Sequence, residues 1–160
     1  MKRVWTAGIL IAVLCALWQL LMGVKGWYKD PAMMNVFWVV ILIQIACLIW
    51  GLRGTAKQGK QYWAQVGCGT LMSIIAGVIL FCWSYLFTSV LYPNYFSEMR
   101  AMQEDILRKA GQSQAQIAAM LDLTAKTQTS LMQAIFGFAG CVITGFVCSL
   151  FIGAFIRKKN

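Results

Sequence analysis

Apolar residues run in four long blocks along this chain: Val4 to Met22, Met33 to Leu52, Trp63 to Leu91 and Leu131 to Ile156. A helix needs about 20 apolar residues to cross a hydrocarbon layer of about 30 Å, and each block meets or approaches that length. The interior of the first block, and the cores of the other three, hold no Asp, Glu, Lys, Arg or His. The pattern predicts an all-α membrane protein: one domain over residues 1–160, with spans at 4–22, 33–52, 63–91 and 131–156. The first block is longer than the apolar core of a signal peptide and is followed by no small-x-small cleavage site, so it is expected to stay as a span.

The polar stretches between the blocks differ in kind. Gly23 to Ala32 is short, and Asp30-Pro31 predicts a helix start, with the aspartate as cap and the proline in the first turn. Arg53 to Gln61 reads "RGTAKQGKQ", a basic connector without the glycine spacing of a phosphate-binding loop. Residues 92–130 form the one long polar segment. Asn94 is its expected N-cap, and Phe96, Met99, Met102 and Ile106 recur at helical spacing. Gly111 interrupts that face. Ser113-x-x-Gln116 then forms a capping box, and Ile117, Met120, Leu121 and Thr124 resume it. Two amphipathic helices over 94–126 are expected, with Phe96, Met99, Met102, Ile106, Ile117 and Leu121 as the face offered to lipid or to a partner.

Composition fits this layout: 60% of the 160 residues are hydrophobic and 12% charged. The net charge of +9 is gathered at helix ends, which favours anionic lipid over nucleic acid. Lys2, Arg3, Arg53, Lys57, Lys60, Arg157, Lys158 and Lys159 are packed into three short stretches on one side, whereas all five acids fall on the other. The basic side is expected to be cytoplasmic, with both termini there and the 94–126 segment outside.

Candidate chemistry is thin. With no histidine, the usual general base and the commonest metal ligand are missing. Glu104, Asp105 and Asp122 each precede a base by four residues (Arg108, Lys109 and Lys126), a spacing that predicts ion pairs along a helix. Glu98 has no such partner and is expected to serve the dipole of its helix start. The six cysteines lie inside the blocks and contain no Cys-x-x-Cys, so they read as small apolar residues. No catalytic residue, cofactor site or metal site is expected.

The strongest repeat concerns packing. Gly137, Cys141, Gly145, Ser149 and Gly153 recur every four residues in the last block, as do Gly69, Ser73 and Gly77 in the third. Gly8, Ala12 and Ala16 follow the same spacing in the first. Small residues so spaced let helix backbones approach closely, within one chain or between two copies.

"GKQYWAQVGCGTLMSIIAGVI" (Gly59 to Ile79), Tyr92-Pro93, "AGQSQAQI" and the closing "FIRKK" together resemble the bacterial membrane proteins grouped as domain of unknown function 4199. The resemblance implies a bacterial inner-membrane protein and carries no site residues with it. Two functional readings follow. The first is a non-enzymatic protein acting through contacts with lipid, a second copy or another membrane protein. The second is a small oligomeric transporter or channel, with 94–126 as a lid and Gln19, Gln44 and Ser73 lining its polar path.

Overall fold

The computed structural model describes residues 1–156, so Arg157, Lys158 and Lys159, counted above among the basic residues of the terminal end, lie outside the described residues. Six α-helices follow in order: α1 (Lys2–Lys25), α2 (Val39–Ala56), α3 (Tyr62–Leu86), α4 (Tyr95–Lys109), α5 (Gln114–Ala125) and α6 (Ser130–Ile156). Among the described residues there is no strand. Four continuous helical stretches are long and apolar enough to span a membrane: Lys2–Lys25, Pro31–Ala56, Tyr62–Leu91 and Ser130–Ile156. The chain is therefore a multi-pass membrane protein. Four crossings return Lys2 and Ile156 to one end of the bundle and put the α4–α5 hairpin at the other.

The element boundaries depart from the hydrophobic blocks in three places. The second span begins with a 3-10 segment, Pro31–Trp38, before turning α-helical at Val39. Asp30 caps it as expected, accepting from the Ala32 amide at 2.9 Å, and the Trp18 indole on α1 donates to the Val36 carbonyl at 3.3 Å. The connector expected from Arg53 begins later, because α2 continues through Arg53-Gly54-Thr55-Ala56. Finally, α3 ends in a π-helical turn, Phe87–Leu91, closed by the Tyr92 amide on the Phe87 carbonyl at 2.8 Å.

The bundle closes in the cyclic order α1, α2, α6, α3, with the closest packing between α3 and α6. In α1 the buried positions Val4, Gly8, Ile11 and Cys15 alternate at spacings of three and four, and Met22 follows seven residues on, the face a left-handed helix pair needs. Ile11, Leu48, Leu52 and Met72 are fully enclosed and mark a core shared by α1, α2 and α3. Gln44, a buried polar side chain at the bundle's middle, donates to the Cys141 carbonyl at 2.7 Å and to the Ser73 hydroxyl at 3.4 Å. It ties α2 to α6 and α3, at about 0.6–2 kcal/mol for an interhelical bond of this kind.

The small-residue repeats bring α3 and α6 together reciprocally. Gly69 faces Ser149, and Gly145 faces Ser73, so each serine sits where the partner helix lacks a side chain. Gly77 receives the Phe138 ring, 2.9 Å from where a Cβ would stand, and Gly153 lies 3.5 Å from Tyr62 on the same measure. Cys141 is buried in the same interface, its thiol 3.6 Å from the Ser73 carbonyl. Gly137 does not join them: it is exposed, and nothing stands within 4 Å of its absent Cβ. A strict spacing of four advances about 40° per step beyond a full turn, so the stripe rotates off the seam. Ala134, buried at 0% exposure, and the half-buried Phe138 continue the seam instead, because their spacing to Cys141 corrects that drift.

Candidate functional site

The α4–α5 hairpin and the bundle end it caps hold most of the polar and aromatic contacts that the spans do not need. The hairpin itself follows local rules. Gly111 adopts φ +77°, the left-handed conformation that ends α4 at little cost to a glycine. Ser113 and Gln116 then form the expected capping box and start α5. Asn94 occupies the N-cap of α4, but its side chain makes no capping bond; the Ser97 hydroxyl donates to the Asn94 carbonyl at 2.8 Å.

Two of the three expected ion pairs along the helices form: Glu104–Arg108 at 2.7 Å and Asp105–Lys109 at 2.6 Å. Among the described residues Asp122 and Lys126 do not pair, because α5 stops at Ala125 and Lys126 is its cap. Glu98 has partners its sequence neighbourhood does not show. It accepts a short hydrogen bond from the Tyr28 hydroxyl and pairs with Lys29 Nζ at 2.9 Å. Both partners lie on a 3-10 turn, Trp27–Lys29, between the first two spans. One signal could have pointed to this clasp: Glu98 is the single acid of the segment left without a base four residues on.

Behind the clasp lies an aromatic box. The Tyr28 ring stands 4.9 Å from Tyr95 and 6.2 Å from Tyr92, and Phe87 lies 4.6 Å from Tyr92 and 6.1 Å from Tyr95. Gly23 on α1 leaves the space, since a Cβ there would meet Phe87 at 2.7 Å and Tyr92 at 2.9 Å. The π turn aims Phe87 and Thr88 inward together, at 1% and 2% exposure. A wide turn of this type re-aims side chains at a helix end. Here it seats the start of α4.

The charges of the clasp are tuned by their contact. The Tyr28 hydrogen bond, and then Lys29, hold the Glu98 carboxyl below its ordinary range. Burial, and then the bond to Glu98, push the Tyr28 phenol up, and burial also raises Tyr95. A depressed carboxyl contributes stability that is full above its unfolded value of about 4.3 and is lost as pH falls through the folded value. Acidification below about pH 4 is therefore expected to loosen α4 from the Trp27–Lys29 turn, read as faster amide exchange in α4. Glu98→Gln removes the charge and should abolish that acid dependence, at a cost near 1 kcal/mol because the pair is partly solvated. An unchanged acid response in the variant would rule out the clasp as its origin.

The apolar face expected on the hairpin is divided. Met102 and Ile117 are buried, at 8% and 2%, on two helices that pack on each other, and the Gln128 amide donates to Gln103 at 2.9 Å to tie the far end. Phe96 and Met99 line a cavity of about 440 Å3 between α4 and the bundle, with Phe37, Trp38 and Phe136 opposite. Leu121 is half-buried. Ile106 points outward at 37%, as do Met120 and above all Leu123, which is 72% exposed and lies outside the face that helical spacing predicts.

Below lies a second cavity of about 260 Å3, sharing Met22, Phe37, Trp38, Gln133 and Phe136 with the first. It reaches Gln19 and Gln44, and Gly137 lines it. Ser73 does not line it; its hydroxyl meets Gln44 in the seam. Among the described residues no cluster of His, Cys, Asp or Glu is arranged to hold a metal ion. The arrangement offers apolar contact, amide hydrogen bonds and one charged clasp, and no paired acid and base aimed into either cavity.

No curated protein and no solved structure matches the chain. The family model described as "Protein of unknown function (DUF4199)" matches residues 6–158, nearly the whole length, and the chain belongs to that family.

Proposed function

We propose that this protein is a bacterial inner-membrane protein, with both termini in the cytoplasm, that works through contacts and not catalysis. The α4–α5 hairpin is its contact surface, presented to lipid or to a membrane-protein partner. One observation carries the reading. The hairpin is fastened to the bundle by Glu98, Tyr28 and Lys29, yet it keeps Leu123, Met120 and Ile106 bare. Large apolar side chains left bare on a fastened hairpin are costly to keep in water, and covering them regains about 25 cal/mol per Å2. The crowding of Arg3, Arg53 and Lys57 at the opposite end supports the orientation.

A photo-crosslinking side chain at Leu123 is expected to capture lipid or a neighbouring protein in intact membranes, whereas one at Gln112, at the hairpin tip, captures far less. Equal recovery from both positions would dismiss the hairpin as a specific surface. Reporter tags at Gly26 and Lys57 check the orientation: a Lys57 tag found outside overturns it.

The pair of adjoining cavities supports a second reading, a small oligomeric transporter or channel with the hairpin as lid. It requires a wet path past Gln19 and Gln44. In a chain whose six native cysteines are replaced by alanine, labelling of Thr144→Cys, which lines the deeper cavity, by a membrane-impermeant thiol reagent would favour that path, and protection from it would favour the contact reading.

A further inference from the structure

The end of the bundle opposite the hairpin carries a cavity of about 740 Å3 lined by three cations, Arg3, Arg53 and Lys57, together with Ile49, Trp50 and Ile156. Among the described residues none of the three cations lies within 4.0 Å of a carboxylate. The five acids all sit on segments across the membrane, about 30 Å away. The carboxyl end of α2, where Arg53 and Lys57 stand and against which Arg3 packs, offers about half a negative charge, which offsets only part of three full positive ones.

The cavity is graded along α2. Ile49 and Trp50 lie about one turn deeper in the membrane than Arg53, and Lys57 lies one turn further toward water. Arg3 is placed by packing. Its Cδ lies 2.7 Å from where a Cβ on Gly54 would stand, so that glycine makes the room that draws the arginine against α2. Its guanidinium also stacks over the Trp50 ring at 5.7 Å. Charge at headgroup depth above apolar side chains at acyl depth matches one ligand class.

We infer that this cavity is a binding site for the headgroup of an anionic phospholipid. Arg3, Arg53 and Lys57 hold the phosphate, and the first acyl carbons lie along Ile49 and Trp50. A soluble phosphate would satisfy the cations but leave the apolar half of the cavity uncovered. Basic pockets between spans suit anionic headgroups for this reason, at about 1 kcal/mol, or about fivefold in affinity, for each cation.

The test uses the full chain reconstituted in phosphatidylcholine vesicles. A minor fraction of either brominated phosphatidylglycerol or brominated phosphatidylcholine is added as quencher. The signal from the site is the quenching seen in the native chain and missing in Trp50→Phe. Phosphatidylglycerol is expected to quench Trp50 at fractions where phosphatidylcholine does not. The double variant Arg53→Gln/Lys57→Gln is expected to lose about 25-fold of that preference, about fivefold for each charge. Equal quenching by the two lipids overturns the inference, as does an unchanged preference in the double variant. Displacement of brominated phosphatidylglycerol by added inorganic phosphate would overturn the lipid headgroup as the source of the phosphate. Should the double variant fail to fold, the comparison of the two lipids on the native chain decides alone.

Discussion

Gly145→Val is expected to separate α6 from α3 and to cost the protein about 3 kcal/mol or more, the upper range for overpacking a tight interface. The physical ground is the depth of the approach. Even the first carbon of a side chain at Gly145 would collide with the Ser73 Cβ and hydroxyl, and it would stand 3.1 Å from the Gln44 amide nitrogen. Ser73 is fully enclosed on α3, and neither it nor the backbone behind it can retreat. Displacing Ser73 also disturbs Gln44, which bonds both Ser73 and the Cys141 carbonyl. Three spans are thus loosened by one substitution. The loss should be read as a lowered midpoint of unfolding in detergent, with Gly140→Val, at an exposed position of the same helix, as the control.

A compensating change separates this explanation from a general effect on α6. Gly145→Ser alone should destabilise, and adding Ser73→Gly should recover most of the loss, because the pair then merely exchanges its serine between helices. Failure of the second change to rescue the first would mean that the seam is not the cause.

The four spans were legible because membrane burial writes itself as continuous hydrophobicity, and no tertiary contact is needed to read it. The ends of the helices were less legible, since there tertiary contacts outweigh local preference. Gly54 looks like a helix terminator in "RGTAKQGKQ", yet α2 passes through it because Arg3 packs into the space it leaves. Gly137 shows the reverse. It fits the repeat of small residues, but the repeat has the wrong period to stay on one face through four steps. In the hairpin, the capping box and the ion pairs of Glu104 and Asp105 are local and were readable. The clasp between Glu98 and Tyr28 joins residues 70 apart, and only the folded bundle brings them together. The division of the hairpin face has the same origin. Periodicity groups Met102 with Ile106, but which of them meets α5 depends on the crossing of two helices.

Phe87→Ala is expected to cost about 3 kcal/mol, the lower end for truncating a buried phenylalanine, and to free α4 from the bundle before the spans themselves come apart. Phe87 is the largest of the fully buried side chains, and its neighbours leave no slack to fill the gap. Gly23 is already at contact distance, and the π turn fixes where the backbone can go. The rings it supports, Tyr92 and Tyr95, are the ones that bring Tyr28 into line with Glu98. Removing the box therefore also weakens the clasp, so amide exchange in α4 should rise more than exchange in α3 or α6. Val90→Ala, on the same turn but 66% exposed, should leave α4 unaffected. If Phe87→Ala accelerates exchange equally in all helices, the box belongs to the general core and does not specifically hold the hairpin. If α4 responds first, crosslinking at Leu123 should fall in the same variant, because a hairpin no longer fastened cannot present that residue at a fixed height above the membrane.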